Sequence, residues 1–199
     1  SFGEVHRVRQ VRREVRPHRR MNRLSAPRFS FVGDDFTGST DALELLASAG
    51  LRVKLFVRLP GVDEMSGLDA VGLATRARSM PPAEMTPVLE AAFESLVRIG
   101  CPVVHYKVCS TWDSSPAIGS IGCAIDIGAR VTRSDIVPLI GGTPSLGRWC
   151  VFGHLFAAFG EDQRAYRIDR HPSMKSHPVT PMHESDLTQH LGAQTSRPV

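Results

Sequence analysis

The sequence predicts an α/β fold: a mostly parallel sheet with helices on both faces, a Rossmann-like three-layer arrangement. Three observations carry this. Short apolar runs of about five residues alternate with segments of helical periodicity. Seventeen Gly and fourteen Pro in 199 residues punctuate the chain too often for a bundle of long helices. At 42% hydrophobic content there is enough apolar material for a core.

Phe29–Gly33 (FSFVG) reads as the first strand, running into Asp34 and Asp35. Gly38–Ala49 carries Ala42, Leu43, Leu45, Leu46 and Ala49 at helical spacing, and Gly50 stops it. Strands are predicted at Val53–Val57 and Ala70–Ala74, followed by a helix over Glu84–Ile99 with Leu89, Ala92, Phe93, Leu96 and Val97 on one face. Val103–Val108 is the fourth strand, Pro116–Ala129 a helix, and Ile136–Ile140 a fifth strand, which Pro138 keeps from a central position. Pro144–Thr195 reads as loop-rich, with a weak strand over Tyr166–Asp169. Thr180 and Pro181 read as the cap and first residue of a short helix ending at Leu191.

Charge divides the chain. Residues 1–28 hold nine Arg against two Glu, whereas the other 171 residues hold fifteen basic and eighteen acidic groups. The basic character therefore belongs to an arm, predicted to be disordered and read as a gene-model extension upstream of Met21. The body is mildly acidic, which argues against a nucleic-acid partner. No run reaches the roughly 18 apolar residues of a membrane span, so no membrane partner is expected. Cys101, Cys109, Cys123 and Cys150 form no CxxC pair and read as reduced thiols of a cytoplasmic protein.

Chemistry concentrates where the first strand ends. Gly33-Asp34-Asp35-Phe36-Thr37-Gly38-Ser39-Thr40-Asp41 sets two carboxylates before small, hydroxylated helix-opening residues. In an open α/β sheet, ligands bind at that end of the strands. The competing reading is a helix cap, in which Asp35 or Thr37 only satisfies backbone donors. Arg76 and Arg78 follow the third strand, where a guanidinium can clamp a carboxylate. Lys107 closes the fourth strand as a further candidate for an anion or hydroxyl. His154, His171, His177 and His183 match no metal spacing, so no metal site is expected, and they are read as ordering a junction or touching a ligand. GxxxxGK[ST] and GxGxxG are both absent, so no ATP site is recognisable.

These strings together resemble the N-terminal domain of the four-carbon acid sugar (tetronate) kinases. GDDFTGSTD at 33–41, ATRARSM at 74–80, YKVCSTWDSSPAIGSIG at 106–122, LGRWCVFGHLF at 146–156 and RIDRHPSMKSHPVTPMHESDLTQHLGAQT at 167–195 carry the resemblance. It implies that residues 29–199 are the acid-sugar-binding domain of a two-domain kinase. Asp34, Asp35, Thr37 and Gly38 would form the substrate loop, with Arg76 and Lys107 as candidates for the acid group. It also implies ATP and Mg²⁺, bound mainly by a C-terminal kinase domain that this chain lacks, so the chain alone is expected to be inactive. On this resemblance the fold is truncated at its C-terminus, and residues 165–199 are expected to be loosely held. The alternative is a stand-alone module that binds a sugar acid without catalysis.

Overall fold

The structure is a computed structural model of the chain and describes residues 26–199. Most of the basic arm at 1–28 lies outside the described residues.

Four strands form a parallel sheet: β1 (Phe29–Gly33), β2 (Val53–Phe56), β3 (Ala70–Ala74) and β4 (Val104–Lys107), in the order β2-β3-β1-β4. Helix α1 (Phe36–Ser48) crosses from β1 to β2 on one face. Helix α2 (Pro82–Arg98) crosses from β3 to β4 and packs on α3 (Ile121–Thr132) over the other face.

Alternation along the strands sorts the two faces. Val32, Val71 and Leu73 join Met85, Leu89 and Phe93 of α2 and Ile127 of α3 in the main core. Phe31 points to the opposite face and is fully buried; its ring lies across Gly72 of β3. A Cβ on Gly72 would come within 2.1 Å of that ring, so only glycine admits it. On the same face Ser39 of α1 lies against Gly33. The helical face predicted for α1 is partly wrong: Leu45 is 72% exposed, while Gly38 and Ser39 are the buried positions.

Past α3 the loop-rich expectation fails. β5 (Arg148–Val151), β6 (His154–Phe159) and β7 (Arg164–Arg167) form a separate antiparallel sheet in sequential order. The predicted strand at Tyr166–Asp169 is half right, because a 3₁₀ turn begins at Ile168. The strand predicted at Ile136–Ile140 is absent: Pro138 has no N–H for a ladder, and Ile136 and Ile140 are 81% and 78% exposed. The helix predicted from Pro116 starts at Ile121, because Ser120 caps it by accepting from the Cys123 N–H at 3.1 Å. Thr180 opens no helix. The last helix, α4 (Leu187–Gly192), is capped by Asp186 through the Thr188 N–H at 2.9 Å.

The C-terminal third packs on the rest of the chain. Trp112, Ile121, Leu155, Ile168, Met182 and Leu191 form a second core that pins α4 and the segment before it. Burying such side chains stabilises by about 1.5–3 kcal/mol each, enough to hold a short helix that would not persist alone.

Candidate functional site

β1 and β3 are neighbours, yet their helices depart to opposite faces of the sheet. The loops leaving their carboxyl ends therefore diverge and open a crevice. Backbone bonds hold its walls in register. The Gly33 carbonyl accepts both the Thr75 N–H (3.0 Å) and the Thr75 hydroxyl (2.7 Å). The Asp34 N–H donates to Lys107 O at 3.0 Å, and Asp34 O accepts the Arg78 N–H at 3.0 Å.

Into this frame project two carboxylates and a guanidinium. Asp34 is buried, and Arg78 meets it as a fork, Nε to Oδ2 at 3.0 Å and Nη2 to Oδ1 at 2.9 Å. The third guanidinium nitrogen, Nη1, reaches Asp35 Oδ2 at 2.9 Å. Burial pushes the Asp34 carboxyl above its ordinary pKa, with Arg78 working against it. Burial alone would lower Arg78, but its bonds to Asp34 override that and raise it. Asp35 also caps α1, its Oδ1 accepting the Gly38 N–H at 2.7 Å. The cap is real, and it coexists with the ion pair.

Each carboxylate has about four acceptor positions, and the contacts described use two on each. The rest can accept from ligand hydroxyls. The two acids face a cavity of about 290 Å³ whose walls include Thr75, Arg76 and Arg78 after β3, and His177 and Thr180 from the later loop. A second cavity of about 340 Å³ adjoins it, sharing Phe36, Thr75 and Arg76 and continuing along apolar Val57, Leu59 and Val88.

The sequence-predicted residues divide. Asp34, Asp35 and Arg76 line the first cavity; Thr37, Gly38 and Lys107 do not. Thr37 is exposed on the first turn of α1. Lys107 donates from Nζ to Val108 O at 2.7 Å and lies beside the start of α1, near Gly38. Gly38 makes room for both: a Cβ there would lie 2.9 Å from Asp35 Oδ1 and 3.3 Å from Lys107 Nζ. Asp41 falls within α1 and is exposed.

Sequence reasoning passed over the pairing role of Arg78 and the approach of Thr180, and it did not separate His177 from the other loop histidines read as ordering a junction or touching a ligand. Arg76 and Arg78 both follow β3, and nothing in their order says which turns inward. A 3₁₀ turn over Ala77–Ser79 decides it, burying Ala77, leaving Arg76 exposed and swinging Arg78 onto Asp34. For His177 the one available signal was the His-Pro-Val-Thr-Pro run, whose two prolines stiffen the loop. Two of the other histidines have structural partners: His171 packs against Phe159 and accepts at Nδ1 from the Met174 N–H, while His154 bonds Ser185; His183 is exposed. Among the described residues no three His, Cys, Asp or Glu side chains group closely enough to hold a metal ion.

A family model described as "Sugar-binding N-terminal domain" matches residues 29–199. The chain belongs to this family. It is 46% identical over 171 residues to a 3-oxo-isoapionate kinase of Paraburkholderia graminis, covering 84% of this chain and 36% of that protein. A 3-oxo-tetronate kinase of Pseudomonas savastanoi pv. phaseolicola is 34% identical over 175 residues, covering 87% and 39% respectively. A crystal structure from Salmonella typhimurium LT2 superimposes with a TM-score of 0.77 at 29% identity, over 85% of this chain and 38% of that one. The chain thus spans little more than a third of these relatives. Among the described residues, no helix of this sugar-binding domain is long and apolar enough to cross a membrane.

Proposed function

We propose that this domain binds a four-carbon acid sugar in the Asp34–Arg76 crevice and supplies the substrate-binding half of an ATP-dependent sugar-acid kinase. One observation carries the reading. Arg78 holds both carboxylates with a single positive charge, so the group keeps a net negative charge and Arg76 is left as the exposed cation of the cavity lining. A tetronate has several hydroxyls and one carboxylate. Its hydroxyls donate to the free positions on Asp34 and Asp35, whose charge repels the acid end toward Arg76. The Gly38 N–H fixes Asp35 from the first turn of α1, and Lys107 stands beside that turn as the second candidate for the acid group.

ATP and Mg²⁺ would supply the phosphoryl group and shield its charge in the longer protein. The residues described here do not fit that task. Among the described residues no three His, Cys, Asp or Glu side chains group closely enough to hold a metal ion, and Arg78 on both carboxylates of the crevice repels a second cation there. We assign the nucleotide to a C-terminal kinase domain of the kind the relatives' extra length accommodates. The self-contained second core favours, as a second reading, a binding module without catalysis.

Calorimetric titration of the chain with threonate, erythronate, the neutral polyol threitol and Mg²⁺-ATP tests the proposal. Binding of the two acids, weaker binding of threitol and no heat with nucleotide are expected. Nucleotide binding with no response to the acids would overturn it. Adding a C-terminal domain from a relative then separates kinase half from binding module by whether phosphate transfer appears.

A further inference from the structure

His177 comes from a loop 70 residues beyond β4, yet it lines the same cavity as Asp34, Asp35 and Arg76. Its orientation is held by a relay of named bonds. Asp113 is 5% exposed, and its carboxylate accepts the Thr111 hydroxyl at 2.6 Å on one oxygen and the Thr180 hydroxyl at 3.2 Å on the other. Thr180, 1% exposed, then donates its backbone N–H to His177 Nδ1 at 3.1 Å, and its hydroxyl, whose proton goes to Asp113, lies 3.1 Å from the same nitrogen. A ring nitrogen that accepts a backbone N–H carries no proton. In the neutral imidazole the proton therefore sits on Nε2. Among the described residues Nε2 has no hydrogen-bond partner, which makes it the uncommitted donor of a residue that lines the cavity.

We propose that His177 is a specificity-determining residue of this crevice, donating from Nε2 to a hydroxyl or carboxylate oxygen of the bound sugar acid, with Asp113 as the positioning residue that acts through Thr180. The proposal rests on the sugar-acid reading of the cavity. The division of labour follows from chemistry. Asp34 and Asp35 can only accept, so they read the ligand's hydroxyl protons. Arg76 is a permanent cation and pairs with charge. A neutral imidazole N–H adds a directional donor that selects an oxygen by its place in the cavity. A sugar acid with that oxygen inverted or missing would leave Nε2 unpaired, and the site would reject it.

The experiment is nitrogen-15 NMR of the intact chain, using long-range proton–nitrogen correlations of the imidazoles, with threonate as the probe. His177 is expected as the Nε2–H tautomer, with its Nε2 signal shifting on addition of threonate. His177→Phe keeps a ring but loses the donor, and is expected to weaken threonate about three- to tenfold. His177→Gln, which keeps an N–H, should recover part of that loss. Asp113→Asn should mix the tautomers of His177, a change that a merely structural role for Asp113 would not produce. An Nδ1–H tautomer in the unmodified chain, or unchanged threonate affinity in His177→Phe, overturns the proposal and leaves the cavity reading standing. Absence of any threonate response from His177 and the cavity backbone amides alike overturns both.

Discussion

The Arg78 guanidinium closes a two-point fork on the Asp34 carboxylate while the Arg78 backbone N–H donates to the carbonyl of the same aspartate. One residue after β3 thus holds one residue after β1 by both main chain and side chain. Asp34 has 6% of its side chain exposed and Arg78 22%, so water screens the pair poorly. The crevice keeps its shape because this pair spans it.

Arg78→Ala should leave the Asp34 charge buried without a partner and cost about 3 kcal/mol of stability. Urea unfolding midpoints of the two proteins measure it. Asp34→Asn combined with Arg78→Ala should be less harmful than Arg78→Ala alone, because the stranded charge is gone. Equal losses would show that the pair does not brace the crevice.

Arg76→Ala is expected to behave oppositely. The side chain is exposed and has no ion pair among the described residues, so stability should stay within about 0.5 kcal/mol. Affinity for threonate should fall roughly tenfold while threitol is unaffected. A matching loss for threitol would mean that Arg76 shapes the cavity wall, and the acid clamp would have to be sought at Lys107.

Gly38→Ala tests the helix opening by its sign. Alanine normally stabilises a helix interior by roughly 0.5–1 kcal/mol over glycine. Here the new Cβ would crowd Asp35 Oδ1 at 2.9 Å and displace the cap, a loss of about 1 kcal/mol. Net destabilisation is expected in thermal melts. In an Asp35→Ala background, where no cap remains to displace, the same substitution should turn neutral or stabilising.

Leu191→Ala probes the second core. Leu191 is fully buried beside Trp112, Ile121 and Leu155, so its truncation should cost about 2–5 kcal/mol. Amide exchange should accelerate over 168–195, and over Trp112–Ser114 where Ser114 bonds His190 and Gln194. An unchanged exchange pattern would mean that α4 is not held by this core.

Acid sensitivity should concentrate in part on the β2–β3 edge. The Arg52 side chain and backbone N–H hold the Asp69 carboxyl down to about 2, against an ordinary 3.8. A depressed carboxyl contributes stability that is full above the unfolded value and lost as pH falls toward the folded one. The stability curve should therefore decline between pH 3.8 and about 2, and more gently in Asp69→Asn. The difference should be small, because the pair lies open to water. Parallel curves for the two proteins would remove Arg52–Asp69 as a source.

The sequence by itself determined the parallel half of the fold, because each of its elements satisfies itself locally. Ala70–Ala74 is a run of apolar residues with no competing structure. α2 repeats its apolar residues at helical spacing, and Asp35 caps α1 through the N–H of Gly38, three residues on. The address of the candidate cavity followed, since a strand ending in two aspartates marks its own carboxyl end. What only the tertiary structure decided depends on partners distant in sequence. Ile136–Ile140 looks like a strand until its proline meets a sheet that needs N–H donors. β5–β7 look like loops because their apolar residues are covered by Trp112, Met182 and Leu191 rather than by neighbours in the chain. Arg78 and His177 owe their places to bonds spanning 44 residues to Asp34 and 67 residues between Asp113 and Thr180. Local propensity does not encode such distances; only the closed packing of both cores brings these groups to one cavity.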